Sequence, residues 1–162
     1  MNLLHPGDAF PPISVALPGD ETLQLPHAVA GDYAVILLFR GSWCPYCNAQ
    51  LKAFQRAHDK LRELGVRVVA LSVDDEPTTE ALIERHGLTF PVGHSADAAA
   101  LRDAVGAFVS GELPYLESTG FVLDGEGRVL VSVYSSQAIG RLVPDDVAGF
   151  IHYLRDHEAA AA

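Results

Sequence analysis

Seven apolar residues in succession, Tyr33-Ala34-Val35-Ile36-Leu37-Leu38-Phe39, run into a turn that holds both cysteines of the chain, Cys44 and Cys47. A strand with one wet face alternates polar and apolar residues, so an unbroken run predicts a central strand covered on both sides. Beyond the cysteines, Leu51, Phe54, His58, Leu61 and Leu64 recur at i, i+3 and i+4 spacing, with Lys52, Arg56, Asp59 and Glu63 between them. That pattern predicts one long amphipathic helix, stopped by Gly65. Residues 66–73 read as a second buried strand, so strand, helix and strand form a crossover with parallel pairing.

The flanking segments fit the same architecture. Residues 13–17 and 22–25 predict a hairpin around Pro18-Gly19-Asp20-Glu21, and Asp74-Asp75-Glu76-Pro77 caps a helix over 78–86. A short strand at 90–92 and a helix over 97–105 follow, then a loop at 106–117. Residues 120–124 and 128–134, joined by Gly125-Glu126-Gly127, have the glycine and β-branched content of a second hairpin. Pro144-Asp145-Asp146 opens a closing helix with Val147, Phe150, Ile151 and Leu154 on one stripe. The fold class expected is α/β: a central mixed sheet flanked by helices, with an N-terminal hairpin extension. Residues 1–158 make one domain and 159–162 a frayed tail.

The dithiol turn carries the chemistry. Pro45 suits the first helical position, which places Cys44 at the N-cap and Cys47 at N3. The Cys44 sulfur then accepts from the amides of Tyr46 or Cys47, at the positive end of the helix dipole, and its thiolate is favoured. Cys47 lies on the same turn, close enough to close a small disulfide ring. Two other uses of the pair are weaker. So short a disulfide loop constrains little chain entropy, and zinc would need His58, His86 or His94, none of which has ligand spacing.

At 162 residues the chain can bury a core without cross-links. Its 11 Lys and Arg against 21 Asp and Glu, a formal charge of -10, disfavour nucleic acid and anionic membrane as partners. No secretory signal is visible at the N-terminus, and the longest apolar run is too short to cross a bilayer. A cytoplasmic, reducing location is expected, where a cysteine pair is more often catalytic than structural.

The order of elements is similar to the thioredoxin fold in its peroxiredoxin-type elaboration. The segment Phe39-Arg40-Gly41-Ser42-Trp43-Cys44-Pro45-Tyr46-Cys47-Asn48-Ala49-Gln50-Leu51 resembles the active-site segment of the bacterial alkyl hydroperoxide reductase/thiol-specific antioxidant superfamily, in its peroxiredoxin-like branch. Gly120-Phe121-Val122-Leu123-Asp124 with Gly127, and Val133-Tyr134-Ser135-Ser136 with Ile139-Gly140-Arg141-Leu142, resemble it too. The resemblance implies a thiol-dependent antioxidant oxidoreductase that reduces peroxides through a Cys44/Cys47 dithiol-disulfide cycle and needs no cofactor or metal. The electron donor would be a thioredoxin, a glutaredoxin or a low-molecular-weight thiol, and a homodimer is among the assemblies open to it. The alternative is a thioredoxin- or glutaredoxin-like enzyme acting on disulfides, and a redox-sensing binding module ranks below both.

The chain also departs from that pattern. Aligned on Cys47, Arg40 stands where peroxiredoxins carry proline, and Cys44 where they carry a hydroxyl residue. The peroxiredoxin alignment makes Cys47 the attacking residue, whereas the thioredoxin-like comparison makes it Cys44. An N-cap sulfur is expected to be more exposed than one at N3, which favours Cys44.

Arg40 is a candidate to lower a cysteine pKa or hold a peroxide oxygen, with pairing to a surface carboxylate as the plainer role. Trp43 and Tyr46 are candidates for a docking face or a packed lid, and Pro45 for tuning the couple. If the strand at 120 runs antiparallel to the strand at 33, Ser118, Thr119, Tyr134, Ser135 and Ser136 should ring the cysteines as donors.

Overall fold

The computed structural model of the protein describes residues 2–161, with side chains through residue 158. Five strands form the central sheet: β3 (Tyr33–Leu38), β4 (Val66–Leu71), β5 (Val92–Gly93), β8 (Thr119–Leu123) and β9 (Val129–Tyr134), in the order β5-β4-β3-β8-β9. β3, β4 and β5 are parallel, while β8 and β9 are antiparallel to their neighbours, so the sheet is mixed. β1 (Ile13–Leu17) and β2 (Glu21–Leu25) form a separate antiparallel hairpin, as the turn residues predicted. One bridge, Ala16 to His94, ties it to the rest.

β3 is buried on both faces because each face packs a different layer. On one side Val35, Leu37 and Phe39 meet Leu51, Phe54, Leu61, Leu82, Val147 and Ile151. Those residues come from α1 (Pro45–Arg56), α2 (His58–Glu63), α3 (Glu76–His86) and α5 (Pro144–Ala161). On the other side Ala34, Ile36 and Leu38 meet Val15 of the hairpin and Leu101 and Val105 of α4 (Ala98–Val105). Both cysteines belong to the first layer.

Three expectations need correction. The single helix after Cys44 is divided at Ala57, whose ψ of 1° leaves helical geometry. The Leu61 amide still donates to the Ala57 carbonyl at 2.9 Å, and Phe54 and Leu61 stay on the core stripe. The strand expected at 90–92 forms at Val92–Gly93, where the neighbouring β4 supplies partners for those two residues. The loop at 106–117 contains a small hairpin, β6 (Val109–Ser110) paired with β7 (Tyr115–Leu116). Strands of two residues are too short to show a period in sequence. Helix α5 runs through Ala161, and position 162, the end of the tail expected at 159–162, lies outside the described residues. Among the described residues no helix is long and apolar enough to cross a membrane.

Candidate active site

The carboxyl end of β3 delivers the chain to the dithiol turn, and local rules then fix it. Cys44 is the N-cap of α1 in extended conformation (φ -88°, ψ 115°), and Pro45 occupies the first turn, where its missing N–H costs nothing. The Cys47 amide donates to Cys44 Sγ at 3.2 Å, as N-cap geometry requires. Asn48 clamps the turn from below: its Nδ2 donates to the carbonyls of Ser42 and Cys44, each at 2.9 Å. With Nδ2 so engaged, Asn48 Oδ1 is the acceptor for His86 Nε2 at 2.8 Å, which assigns the proton to Nε2. Burial, then Arg85 and Lys52, hold the His86 pKa below its ordinary value, consistent with a neutral ring. On the other flank Asp74 accepts from the Ser42 amide at 2.8 Å. Gly41 is needed here because a β-carbon would run into the indole of Trp43.

Both cysteines are free thiols and both are 0 % exposed, so the expected difference in exposure is absent. The turn packs into the core beneath Arg40, itself 8 % exposed, and covers the N-cap sulfur as fully as its partner. The asymmetry between them is electrostatic. Burial would raise the Cys44 pKa, but the Cys47 thiol, the Cys47 amide, Arg40 Nη1 at 3.8 Å and the charge of Arg141 outweigh it and bring it below the ordinary value. For Cys47, burial and the hydrogen bond shared with Cys44 prevail over the Arg40 amide and Arg141, pushing it up to about 12. The Arg40 amide lies 3.4 Å from Cys47 Sγ, and Arg141 Nη1 lies 3.7 Å from it. In this arrangement Cys44 is the sulfur favoured as a thiolate and Cys47 the one held as a thiol.

Selective labelling is the expected consequence. At pH 7 a thiol with a pKa near 12 is thiolate in only about one molecule in 10⁵, so iodoacetamide should modify Cys44 and spare Cys47. The Cys44 rate should climb with pH through an inflection below the ordinary thiol value. Peptide mass mapping after timed alkylation reads both, and preferential modification of Cys47 would reverse the assignment.

Of the substrate-binding candidates, Arg40 is the one in contact with a sulfur. Its guanidinium also stacks on Trp43 at 4.8 Å and Tyr115 at 5.4 Å, and those two rings meet edge to face at 5.1 Å. Arg40 Nη1 faces Cys44 Sγ at 3.8 Å, while Nε faces Glu117 Oε2 at 3.3 Å. That carboxylate is buried, not at the surface. Trp43 is 54 % exposed and Tyr46 51 %. Pro45 holds the helix start, and Tyr46 lines a nearly apolar groove of about 270 Å³ with Gln50, Ile139, Arg141 and Leu142.

Among the described residues, none of the hydroxyls predicted around the cysteines hydrogen-bonds to a sulfur. Thr119 is opposite Leu38 and Tyr134 in the sheet, and directly opposed residues share a face. Leu38 and Tyr134 lie on the α4 side, away from the dithiol layer. Thr119 Oγ1 donates to the Glu117 carbonyl at 3.1 Å, and the Tyr134 hydroxyl donates to the Val105 carbonyl. Ser118 is buried, and its carbonyl accepts the Ser135 amide at 2.9 Å; the Ser135 hydroxyl is turned to the carbonyls of Gln137 and Ile139. Ser136 is exposed. Among the described residues, the hydrogen bonds to the sulfurs from outside the turn come from Arg40 and Arg141.

Arg141, Glu117 and Tyr115 escaped the sequence. Arg141 stood in a segment quoted only for its resemblance, and its signal was its single positive charge beside Ile139, Leu142 and Val143. It reaches Cys47 across 94 residues because Leu142 packs over Gly120, where a β-carbon would lie 2.7 Å from Leu142 Cδ1.

Comparisons with known proteins find relatives for this chain. A peroxiredoxin of Treponema denticola is 28 % identical over 141 residues, covering 83 % of this chain and 66 % of its own. The thiol-disulfide oxidoreductase ResA of Bacillus anthracis is 27 % identical over 118 residues, covering 72 % of this chain and 61 % of its own. The chain therefore spans about two thirds of the length of these relatives. The crystal structure of AhpC from Enterococcus faecalis superposes with a TM-score of 0.80, covering 100 % of this chain and 98 % of that one at 16 % identity, which establishes the shared fold. Residues 6–131 match the AhpC/TSA family, and the protein with this buried dithiol at the head of its first long helix belongs to that family.

Proposed function

We propose that the protein is a thiol peroxidase in which Cys44 attacks and Cys47 resolves. The observation that carries the proposal is the opposed setting of the two thiols, one favoured as an anion by Arg40 and the helix start, the other held as a thiol. The Cys44 thiolate attacks the terminal oxygen of a hydroperoxide; an S–O bond forms, the O–O bond breaks, and the departing alkoxide or hydroxide takes a proton from solvent. Cys44 is then a sulfenic acid. Cys47 sulfur attacks it, the S–S bond forms, the S–O bond breaks, and hydroxide leaves as water with the Cys47 proton. Arg40 stabilises the charge moving off sulfur in the first step, and Arg141 does the same for Cys47 as its proton departs.

The disulfide is returned to the dithiol by two electrons from an external dithiol or low-molecular-weight thiol, a cycle suited to a cytoplasmic thiol pool. Because both sulfurs are covered, entry requires local opening, and the half-exposed Trp43 packed on Tyr115 is the side chain with room to swing. Trp43 is the sole tryptophan, so its fluorescence reports the step. Stopped-flow mixing of the reduced protein with hydrogen peroxide, an organic hydroperoxide and a small disulfide separates the two families of reaction. We expect peroxide oxidation at least about 10²-fold faster than a free thiol of equal acidity, the size typical of one positioned electrostatic group. A rate no faster than that thiol, with rapid oxidation by the disulfide, would move the protein to disulfide exchange.

A further inference from the structure

Glu117 is the least explained group in the molecule. Its residue is 0 % exposed, and neither carboxylate oxygen receives a hydrogen bond from the described residues. Burying a carboxylate without compensation is strongly unfavourable, and the compensation here is a single cation, Arg40 Nε at 3.3 Å. The backbone pins it there: the Glu117 amide donates to the Phe108 carbonyl at 2.8 Å, and its own carbonyl accepts from Thr119. The same guanidinium points Nη1 at Cys44 Sγ and donates from Nη2 to the Tyr115 hydroxyl at 3.3 Å. One positive charge is thus shared between a buried carboxylate and a sulfur whose charge comes and goes with oxidation.

We propose that Glu117 is a positioning residue that regulates the dithiol through Arg40, holding the guanidinium against Cys44 while its own negative charge limits how strongly that guanidinium stabilises the thiolate. The inference rests on Cys44 being the attacking sulfur. When Cys44 is a thiolate, Arg40 faces two anions; once the disulfide forms it faces one. Glu117 therefore favours the oxidised state, and it keeps the couple more reducing than Arg40 alone would make it. The other groups facing Cys44 do not duplicate this. Arg141 contributes positive charge, Cys47 a thiol hydrogen bond, Tyr115 a neutral hydroxyl on Arg40, and Asp74 is engaged with the Ser42 amide.

Glu117→Gln tests it, because the amide keeps the side-chain volume beside Arg40 Nε while the charge is gone. Thiolate absorbance at 240 nm should titrate with Cys44 about tenfold more acidic than in the parent. A glutathione redox titration above that pKa should show a couple about 30 mV more oxidising, which is tenfold in the equilibrium constant for two electrons. A purely structural role would lower the unfolding midpoint and leave both readings in place, and that result overturns the inference. The parent protein supplies a second test that needs no variant. Coupling is reciprocal, so the Glu117 carboxyl carbon resonance should inflect where Cys44 titrates and should differ between the dithiol and disulfide forms. A resonance indifferent to both states also overturns it. Should Cys47 prove to be the labelled thiol, the attacking assignment fails by itself, visibly and separately from Glu117.

Discussion

Cys44→Ser will abolish peroxide turnover, whereas Cys47→Ser will still consume one equivalent of peroxide and stop as a sulfenic acid. The difference follows from what each sulfur is prepared to do. At Cys44 the Cys47 amide at 3.2 Å and Arg40 at 3.8 Å await an anion, and a serine hydroxyl cannot supply one near neutral pH. The expected loss is on the order of 10³-fold or more, about 4 kcal/mol of transition-state stabilisation. In Cys47→Ser a hydroxyl donor replaces the neighbouring thiol, so the attacking sulfur keeps its surroundings, a hydrogen-bond donor at position 47 included. Its first oxidation should therefore survive. Single-turnover kinetics, with dimedone trapping of the sulfenic acid, measure both. Equal loss in the two variants, or sulfenic acid at position 47 in Cys44→Ser, would assign the attack to Cys47.

Arg40→Met will be among the most destabilising single substitutions in the protein. It removes the one cation that compensates Glu117, leaving a fully covered carboxylate unpaired. Breaking one side of a buried ion pair costs about 3–5 kcal/mol, a large part of the roughly 5–15 kcal/mol that separates folded from unfolded states in domains generally. The double variant Arg40→Met with Glu117→Met should recover most of that loss, because two methionines of similar size carry no charge to desolvate. Urea unfolding of the reduced forms gives the comparison. Additive losses in the double variant would mean that the two side chains act independently, and the shared-charge account of Arg40 would fall with them.

Local chemistry was legible where neighbours in sequence decide the structure. Pro45 after Cys44 set the helix start, and the Cys47 amide bound the N-cap sulfur as that rule demands. Asp75 and Asp97 cap α3 and α4 by accepting from Thr78 and Ala100, and the apolar run at 33–39 became the doubly covered β3. The order β5-β4-β3-β8-β9 places β8 antiparallel beside β3, so residues near 118 do approach the end of the strand that bears the dithiol. Which way their side chains face was not legible. A one-residue change in register moves every side chain to the opposite face, and the register set Thr119 between Leu38 and Tyr134, turned toward α4.

What the sequence determined by itself is the reactive pair: two sulfurs on one helical turn, with the first at the N-cap. Short-range geometry dictates that much in any tertiary setting, because backbone amides and helix pitch need only residues a few positions apart. Only the tertiary structure decided the surroundings that separate the two thiols. Arg141 meets Cys47 from 94 residues away, and Arg40 meets Tyr115 from 75 away, with Glu117 brought in alongside. Burial in one shared layer made charges at that range matter, since a covered sulfur exchanges its hydration for whatever cations and dipoles the fold has carried to it.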